Sequence, residues 1–265
     1  MEKPYVLVTN DDGIFSPGLT ALAEALEPFC RLLIAAPKSQ QTSMGRGYCS
    51  DGMAGAISKE TLSINGRAHA AYAVCGSPAQ TVAHAVTELA EQKPDFCASG
   101  INYGENLGLA LTCSGTLGAC FEADSLGIPS AAFSRAIPLE LQRSDRFSAL
   151  DWSAEKYHAA RVCKNLLEHG FSGKARLLNV NFPANCKKET DIRITRQAYM
   201  NYGKYDVIKG RDITAPHILG WARSDSLEEA PKDSDIRAVY FDGVISVTPL
   251  VSVMSVECDS YYSGG

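Results

Sequence analysis

The chain has 265 residues, of which 45% are hydrophobic and 21% are charged, a composition typical of a globular protein with a substantial core. The formal net charge is −5 and no long basic run occurs, which argues against a polyanion-binding surface and so against a nucleic-acid partner. No apolar run approaches the roughly 20 residues of a membrane span, and the N-terminus lacks a signal-peptide pattern. We therefore expect no membrane association and a cytoplasmic location.

The first predicted element is a short buried strand, Tyr5–Thr9, which is followed by two adjacent carboxylates. Ser16-Pro17 then predicts the start of a helix, with the serine as N-cap and the proline at the first helical position. Neighbouring side chains of a strand point to opposite faces, so Asp11 and Asp12 can share a ligand only if the backbone turns, and Gly13 supplies that freedom. Because open α/β sheets bind ligands at strand ends, the pair predicts a divalent-metal site. Ordinary turn chemistry is the alternative for the two aspartates taken alone.

The elements that follow alternate between strand and helix. A helical stripe over 19–26 and a second strand over 31–36 complete a βαβ pattern, which predicts parallel strands and a Rossmann-like α/β fold. No Gly-x-Gly-x-x-Gly motif follows the first strand, so a dinucleotide is not implied. Asn65-Gly66 predicts a hairpin turn between two strand-like runs. The remaining predicted elements are helices over 78–90, 117–126 and 154–169 and strands over 96–99, 129–133, 177–181 and 244–250.

The alternation of strands and helices breaks after Pro183. Residues from about 184 to 243 are polar, carry Gly, Pro and Asp turns and contain Tyr199, Tyr202 and Tyr205. This segment predicts an excursion from the core that serves subunit contact. We therefore expect one domain over residues 1–265, with a core over about 1–183 and 244–250 and an extension over about 184–243.

Cysteine and histidine usage argues against disulfides and zinc. The nine cysteines are scattered and odd in number, and no two of them form a Cys-x-x-Cys pair. Most lie in apolar runs, so we expect free buried thiols. The five histidines are isolated, and none pairs with another at helical spacing.

Three polar loops follow predicted strand ends, at residues 10–13, 38–45 and 100–116, and should meet at one edge of the sheet. Together they offer two carboxylates, several hydroxyls, two asparagine amides and a helix start at Ser114-Gly115-Thr116, where free N–H groups favour an anion. A hard cation such as Mg²⁺ or Mn²⁺ takes oxygen ligands of this kind together with substrate phosphate. The joint placement predicts metal-assisted phosphoryl transfer or hydrolysis. Taken singly, the polar residues of the third loop are better explained by loop hydrogen bonding and helix capping.

Two long motifs and several shorter ones resemble the SurE family, the metal-dependent survival-protein 5′/3′-nucleotidases. The long motifs are Thr9-Asn10-Asp11-Asp12-Gly13 and the run from Ser99 through Asn102 and Asn106 to Gly108. The shorter ones are Gly76-Ser77-Pro78, Ser114-Gly115-Thr116, Asn179-Val180-Asn181-Phe182-Pro183, Thr195-Arg196-Gln197 and Ser246-Val247-Thr248-Pro249-Leu250. The resemblance covers nearly the full chain, with the order of the motifs preserved.

The resemblance implies a fold, a reaction and an assembly. The fold is a Rossmann-like three-layer α/β sandwich with a mostly parallel sheet and a C-terminal extension that helps to build homodimers or homotetramers. The reaction is the hydrolysis of nucleoside 5′-monophosphates, and of 3′-monophosphates as a further option, with one Mg²⁺ or Mn²⁺ per subunit.

The resemblance also implies the roles of single residues. Asp11, Asp12 and Asn102 match the family's metal ligands, and Asn106, Ser114, Gly115 and Thr116 match its phosphate contacts. The family's serine ligand stands in an Asn-x-Ser-Gly context, where this chain has Gln40-Gln41-Thr42-Ser43; ungapped counting from the aspartates favours Thr42, with Ser43 as the rival. Further departures are Leu109-Ala110, where the family carries acidic residues, and Cys113, where it carries tyrosine.

Several alternatives stay open at this point. The nucleophile is either a metal-bound water, with Asp11 or Asp12 accepting its proton, or one of these carboxylates attacking phosphorus directly. A second class of function is a metal hydrolase of short polyphosphate or of a non-nucleotide ester. A third is a non-catalytic nucleotide-binding or assembly protein whose main interface is the segment 184–243. The sequence does not indicate base preference, 5′ against 3′ selectivity, the physiological metal, or dimer against tetramer.

Overall fold

A nine-stranded sheet lies at the centre of the computed structural model, which describes residues 2–142, 147–205, 209–217 and 219–255. The strands are β1 (Tyr5–Thr9), β2 (Arg31–Pro37), β3 (Ile57–Ile64), β4 (Arg67–Val74), β5 (Phe96–Tyr103), β6 (Ser130–Arg135), β7 (Leu177–Phe182), β8 (Ile192–Ile194), β9 (Gly203–Tyr205), β10 (Trp221–Arg223) and β11 (Ile245–Leu250). The helices are α1 (Pro17–Leu26), α2 (Pro78–His84), α3 (Gly115–Ser125), α4 (Leu139–Gln142), α5 (Ser153–His169) and α6 (Asp235–Tyr240). A π-helical turn (Ala85–Leu89) continues α2, and 3₁₀ turns lie at Gly108–Cys113 and Leu227–Glu229.

The main sheet has the strand order β3-β4-β2-β1-β5-β6-β7-β11-β8. Neighbouring strands are parallel except for the β3–β4 hairpin and the β7–β11 pair. Alternate residues of β1 enter two different cores. Val6 and Val8 pack with α1 and α5 on one face, whereas Leu7 packs with α2 and α3 on the other. The predicted three-layer α/β fold with a mostly parallel sheet is therefore confirmed.

Local signals placed most element boundaries correctly. The Ser16 hydroxyl caps α1 by accepting the N–H of Gly18, and Ser77 caps α2 in a reciprocal capping box with Gln80. Asn65 and Gly66 form the turn between the antiparallel strands β3 and β4. The prediction of a strand over 96–99 was too short, because β5 continues to Tyr103 and pairs with β6 beyond an irregularity.

The segment expected outside the core divides into two parts. β8 joins the main sheet beside β11, so residues 192–194 belong to that sheet. β9 and β10 form a separate antiparallel ladder, and we call the described residues 203–205, 209–217 and 219–223 the arm. The helix α6 packs Ile236 and Val239 against Leu107 of the third loop. The use of this segment for subunit contact stays a prediction.

The described cysteines agree with the expectation of free thiols. Cys30, Cys97, Cys120 and Cys163 are buried, and the other four in the described ranges are also free; Cys258 lies outside those ranges. Within the part of the chain that the structure describes, no helix is long and apolar enough to cross a membrane.

Asp235 fastens the C-terminal segment to the third loop. This carboxylate is fully buried and accepts the backbone N–H groups of Gly108 at 2.9 Å, Ala198 at 3.0 Å and Ile236 at 2.8 Å. Burial raises its pKa, and these three hydrogen bonds oppose the rise. The Asp235 side chain thus joins three segments that are distant in sequence.

We expect Asp235→Ala to lower the free energy of unfolding by about 3 kcal/mol, because buried N–H groups lose their acceptor. Urea denaturation measures this loss. Asp212→Ala is the control, since Asp212 is an exposed carboxylate that also accepts a backbone N–H, from Thr214 at 2.9 Å. Equal losses in the two variants would contradict the role given to Asp235.

Candidate active site

The backbone turns after β1 where the sequence predicts it. Gly13 has a φ of +103°, a conformation that favours glycine. The Asn10 side chain closes the turn, since its Nδ2 donates to the Gly13 carbonyl at 3.0 Å and its Oδ1 accepts the Gly13 N–H at 3.1 Å. Asp11 and Asp12 are consequently held in the interior, each 5% exposed.

Asp11 lies against the N-terminus of α3. Its Oδ1 accepts the Thr116 hydroxyl at 2.7 Å. A Cβ atom on Gly115 would stand 2.7 Å from the Asp11 Cβ, so only glycine permits this approach. The Asp11 carbonyl also accepts the N–H of Gln41 at 2.7 Å, which brings the second loop to the same place.

Asp12 joins the end of β5 to the second loop. Its Oδ2 accepts the backbone N–H of Tyr103 at 3.0 Å, and its Oδ1 accepts Gln40 Nε2 at 3.0 Å. The same Gln40 nitrogen donates to the Gln142 carbonyl at 3.2 Å. The contact of Gln40 with Asp12 was not anticipated from the sequence, although Gln40 stands where the family pattern has an amide.

The two carboxylates are electrostatically unfavourable in the protein alone. Burial raises the pKa of both, and the charge of Asp12 raises that of Asp11 further, to about 7. Hydrogen bonds from Thr116 to Asp11, and from Tyr103 and Gln40 to Asp12, oppose the rise. No Lys, Arg or His in the described ranges forms an ion pair with either aspartate. A bound cation would offset this repulsion.

The chemistry of the available donors fits a hard divalent cation. The two carboxylates are accompanied by hydroxyl and amide oxygens of neutral residues. Among the residues that the structure describes, no three His, Cys, Asp or Glu side chains group as a metal site, so any cation here would take neutral oxygens and water as further ligands. Such a mixture suits Mg²⁺ or Mn²⁺ better than zinc.

The predicted residues gather around one cavity of about 600 Å³. The predicted residues that line it are Asp11, Thr42, Asn102, Asn106 and Ser114. Asp12, Gly115 and Thr116 lie behind this lining, and the last two contact Asp11. Ser43 also lines the cavity, so the choice between it and Thr42 as the hydroxyl ligand stays open.

The backbone of Asn106 is clamped by two asparagines of β7. The Asn181 side chain pairs with it as a neighbouring strand would, accepting its N–H at 2.8 Å and donating to its carbonyl at 3.1 Å. Asn179 Nδ2 donates to the same carbonyl at 2.8 Å. The Asn106 amide itself donates to the Ser134 hydroxyl at 2.9 Å and, more weakly, to Thr116 at 3.4 Å. Asn179 and Asn181 belong to a motif noted in the sequence, but no role was predicted for either of them.

The rest of the cavity is lined by a further buried acid, Glu105, and by residues of the arm. Glu105 is 2% exposed, and burial raises its pKa. It accepts hydrogen bonds from the Tyr240 hydroxyl and from Gln142 Nε2. The residues of the arm and its base that line the cavity are Asn201, Tyr202, Gly203, Lys204, Tyr205, Leu219 and Gly220. No local pattern in the sequence pointed to these residues as part of a site, because each reaches the cavity through long-range packing.

Several known proteins are similar to this chain over most of its length. The sequence profile of the family described as "Survival protein SurE" matches residues 6–204. A "5′-nucleotidase SurE" from Methanocella arvoryzae is 35% identical over 92% of this chain and 91% of its own, and one from Methanosarcina acetivorans is 34% identical over 93% and 91%. The crystal structure of the SurE protein from Aquifex aeolicus superposes with a TM-score of 0.73 at 31% identity, covering 95% of both chains. The chain therefore belongs to the SurE family.

Proposed function

We propose that the protein is a divalent-metal-dependent phosphomonoesterase that hydrolyses nucleoside monophosphates. The observation that carries the proposal is the buried pair Asp11 and Asp12, which has no cationic partner among the described residues and lies against the N-terminus of α3. The 5′-nucleotidase names of the related proteins support the same activity.

One Mg²⁺ or Mn²⁺ would be held by Asp11, Asp12, Asn102 and the hydroxyl of Thr42 or its neighbour Ser43. When bound, it polarises phosphoryl oxygens and lowers the pKa of a bound water. Asn102 donates Nδ2 to the Gly104 carbonyl at 2.7 Å, so its amide oxygen is the atom to turn towards the cation. Asp11 lines the cavity, whereas both oxygens of Asp12 already accept hydrogen bonds. Asp11 is therefore the carboxylate placed to accept the proton of an attacking water, or to attack phosphorus itself.

The phosphate group would lie between Asn106 and the start of α3. Ser114 is the N-cap of this 11-residue helix, and its hydroxyl accepts the Leu117 N–H at 3.2 Å. The N–H groups of Gly115 and Thr116 belong to the first turn, where no intrahelical acceptor is available and the helix dipole favours negative charge. Donors fixed in this way stabilise the charge that grows on the phosphoryl oxygens in the transition state.

The composition of the cavity favours a nucleoside over a polyphosphate chain. The cavity is also lined by Tyr202, Tyr205, Leu109 and Leu219, whose aromatic and apolar side chains suit a ribose and a base. A polyphosphate would need several cationic side chains. Among the described lining residues, Lys204 is the one basic side chain, and it forms an ion pair with Asp225.

We expect Asp12→Asn to lower kcat/KM for AMP at least about 100-fold, a loss of about 2.7 kcal/mol, because the cation site loses one of its two negative charges. Phosphate release from AMP and p-nitrophenyl phosphate, with and without Mn²⁺, measures the effect. Asp51→Asn is the control, since that exposed carboxylate only accepts the Met53 N–H at 2.9 Å.

Near-wild-type turnover by Asp12→Asn would contradict the site assignment. A panel of AMP, GMP, 3′-AMP and tripolyphosphate then tests the substrate class. Faster turnover of tripolyphosphate than of every nucleotide would contradict the preference for nucleosides. Tight AMP binding without metal and without phosphate release would indicate a nucleotide-binding protein instead.

We expect the metal-free protein to lose stability as pH rises. The pKa of Asp11 is about 7 in the folded state against an ordinary value of 3.8, so between these values the folded state binds more protons than the unfolded state. The contribution of Asp11 is therefore fully present below about pH 4 and is lost as pH rises through 7. Mn²⁺ should reverse this loss and raise Tm more at pH 8 than at pH 6, because protons compete for the same carboxylates.

Thermal unfolding of the wild type and of Asp11→Asn, with EDTA or Mn²⁺, measures these shifts. The difference between the two proteins gives the contribution of Asp11 together with its repulsion of Asp12, and separates both from the other titrating groups. A wild-type Tm that does not respond to Mn²⁺ at either pH would contradict the proposed metal site at Asp11 and Asp12.

We also propose that the protein is cytoplasmic and assembles into homodimers or homotetramers through the C-terminal segment. Large apolar side chains are exposed there, with Tyr199 at 92%, Ile213 at 82% and Tyr205 at 67%. Exposed apolar groups concentrated in one segment are typical of interfaces. Sedimentation equilibrium at micromolar concentration should give a dimer or tetramer, and a monomer would refute the proposed assembly.

A further inference from the structure

Glu105 is a buried acid that the proposed reaction does not use. It stands next to Asn106 in the third loop, and no cationic side chain in the described ranges forms an ion pair with it. Its carboxylate instead accepts the Tyr240 hydroxyl on Oε1 and Gln142 Nε2 on Oε2, the latter at 3.3 Å. Burying a carboxylate costs free energy unless hydrogen-bond partners offset the loss of solvation. The partners of Glu105 therefore indicate its role.

The hydrogen-bond partners of Glu105 connect it to both strands of the arm. The Tyr202 hydroxyl donates to the backbone carbonyl of Glu105 at 2.8 Å, and Tyr202 immediately precedes β9. The guanidinium carbon of Arg223, the last residue of β10, lies 4.3 Å from the ring centroid of Tyr240. A charged group at this distance from an aromatic face is attracted to it. Glu105 is thus joined to one end of the arm through Tyr202 and to the other through Tyr240.

The residue that is joined to the arm, Glu105, and the residue proposed to contact the phosphate, Asn106, are adjacent in the sequence. Asn106 is fixed by Asn179 and Asn181 of the sheet, whereas Glu105 is fixed by residues of the C-terminal segment. The arm supplies one wall of the cavity, through Gly203, Lys204, Tyr205, Leu219 and Gly220. The distance between the place of the phosphate and this wall therefore depends on the bonds that Glu105 makes.

We propose that Glu105, through Tyr240 and Arg223, sets the position of the arm over the cavity and so determines the affinity for the nucleoside part of the substrate. The inference rests on the proposed function. Glu105 and Tyr240 are positioning residues, because they act through the arm and not on the reacting phosphate. A small ester without a base does not reach the arm and is insensitive to its position.

The test uses the full chain with Tyr240→Phe, which removes one hydroxyl and keeps the ring under Arg223. We expect KM for AMP and the Kd of adenosine, measured by calorimetry, to rise about tenfold, since one hydrogen bond to a charged group is lost. The values of kcat for AMP and of kcat/KM for glycerol 2-phosphate should stay within about twofold. Arg223→Ala, at an exposed position, should raise the same two constants and serves as a second variant if Tyr240→Phe does not fold.

Tyr48→Phe is the matched control, because it removes a hydroxyl that donates to the Glu122 carboxylate at 3.2 Å, and neither residue lines the cavity. It should change none of the constants. A parallel loss of activity on AMP and glycerol 2-phosphate, or an adenosine Kd that is unchanged in both Tyr240→Phe and Arg223→Ala, overturns the inference. Wild-type protein that releases no phosphate from AMP overturns the proposed function instead, and the adenosine affinities still decide the role of Tyr240.

Discussion

The rest of the site depends on the electrostatic cost of two buried carboxylates side by side. Asp11 and Asp12 repel each other in a medium that solvates them poorly, and the protein offsets only part of this cost with neutral donors. Each donor comes from a different element: Thr116 from α3, Tyr103 from β5 and Gln40 from the second loop. The uncompensated charge is what a divalent cation would neutralise, so three elements converge on a pair that is unfavourable without a cation.

The part of the cavity that we propose binds the phosphate, around Asn106, is hydrogen-bonded to the sheet and is therefore rigid. Asn106 lies 75 residues from Asn181, yet the Asn181 amide replaces a strand neighbour for it and satisfies both its backbone groups. A side-chain amide carries a carbonyl acceptor and an N–H donor side by side, so it can replace a neighbouring peptide group in this way. The Asn181 side chain thus anchors to β7 a loop that is not itself part of a strand. A rigid loop keeps its donors oriented before the substrate arrives.

The sequence predicts those parts of the structure that local signals determine. The N-caps Ser16 and Ser77 and the hairpin turn at Asn65 lie where predicted, because a cap or a turn needs only a few neighbouring residues. The aspartate pair follows β1 at the edge where the three polar loops meet, because strand ends of a parallel sheet share an edge, and its role as a metal site stays a prediction. The extension of β5 to Tyr103 and the place of β8 in the sheet were missed, since both depend on pairing with distant strands. Glu105 was missed for the same reason, because its partners lie 37 and 135 residues away.

The construction of the cavity also accounts for the places where this chain departs from its family. Leu109, Ala110 and Cys113 line the cavity, and all belong to the 3₁₀ turn before α3. This turn is held by the C-terminal segment, because the Leu109 N–H donates to the Met200 carbonyl at 3.0 Å. The residues proposed as metal and phosphate ligands stand at other positions. Under the proposed function, changes in the turn therefore alter the surface that would meet the leaving group and leave the proposed reacting centre in place, so selectivity for the nucleoside can diverge while the hydrolysis itself is retained.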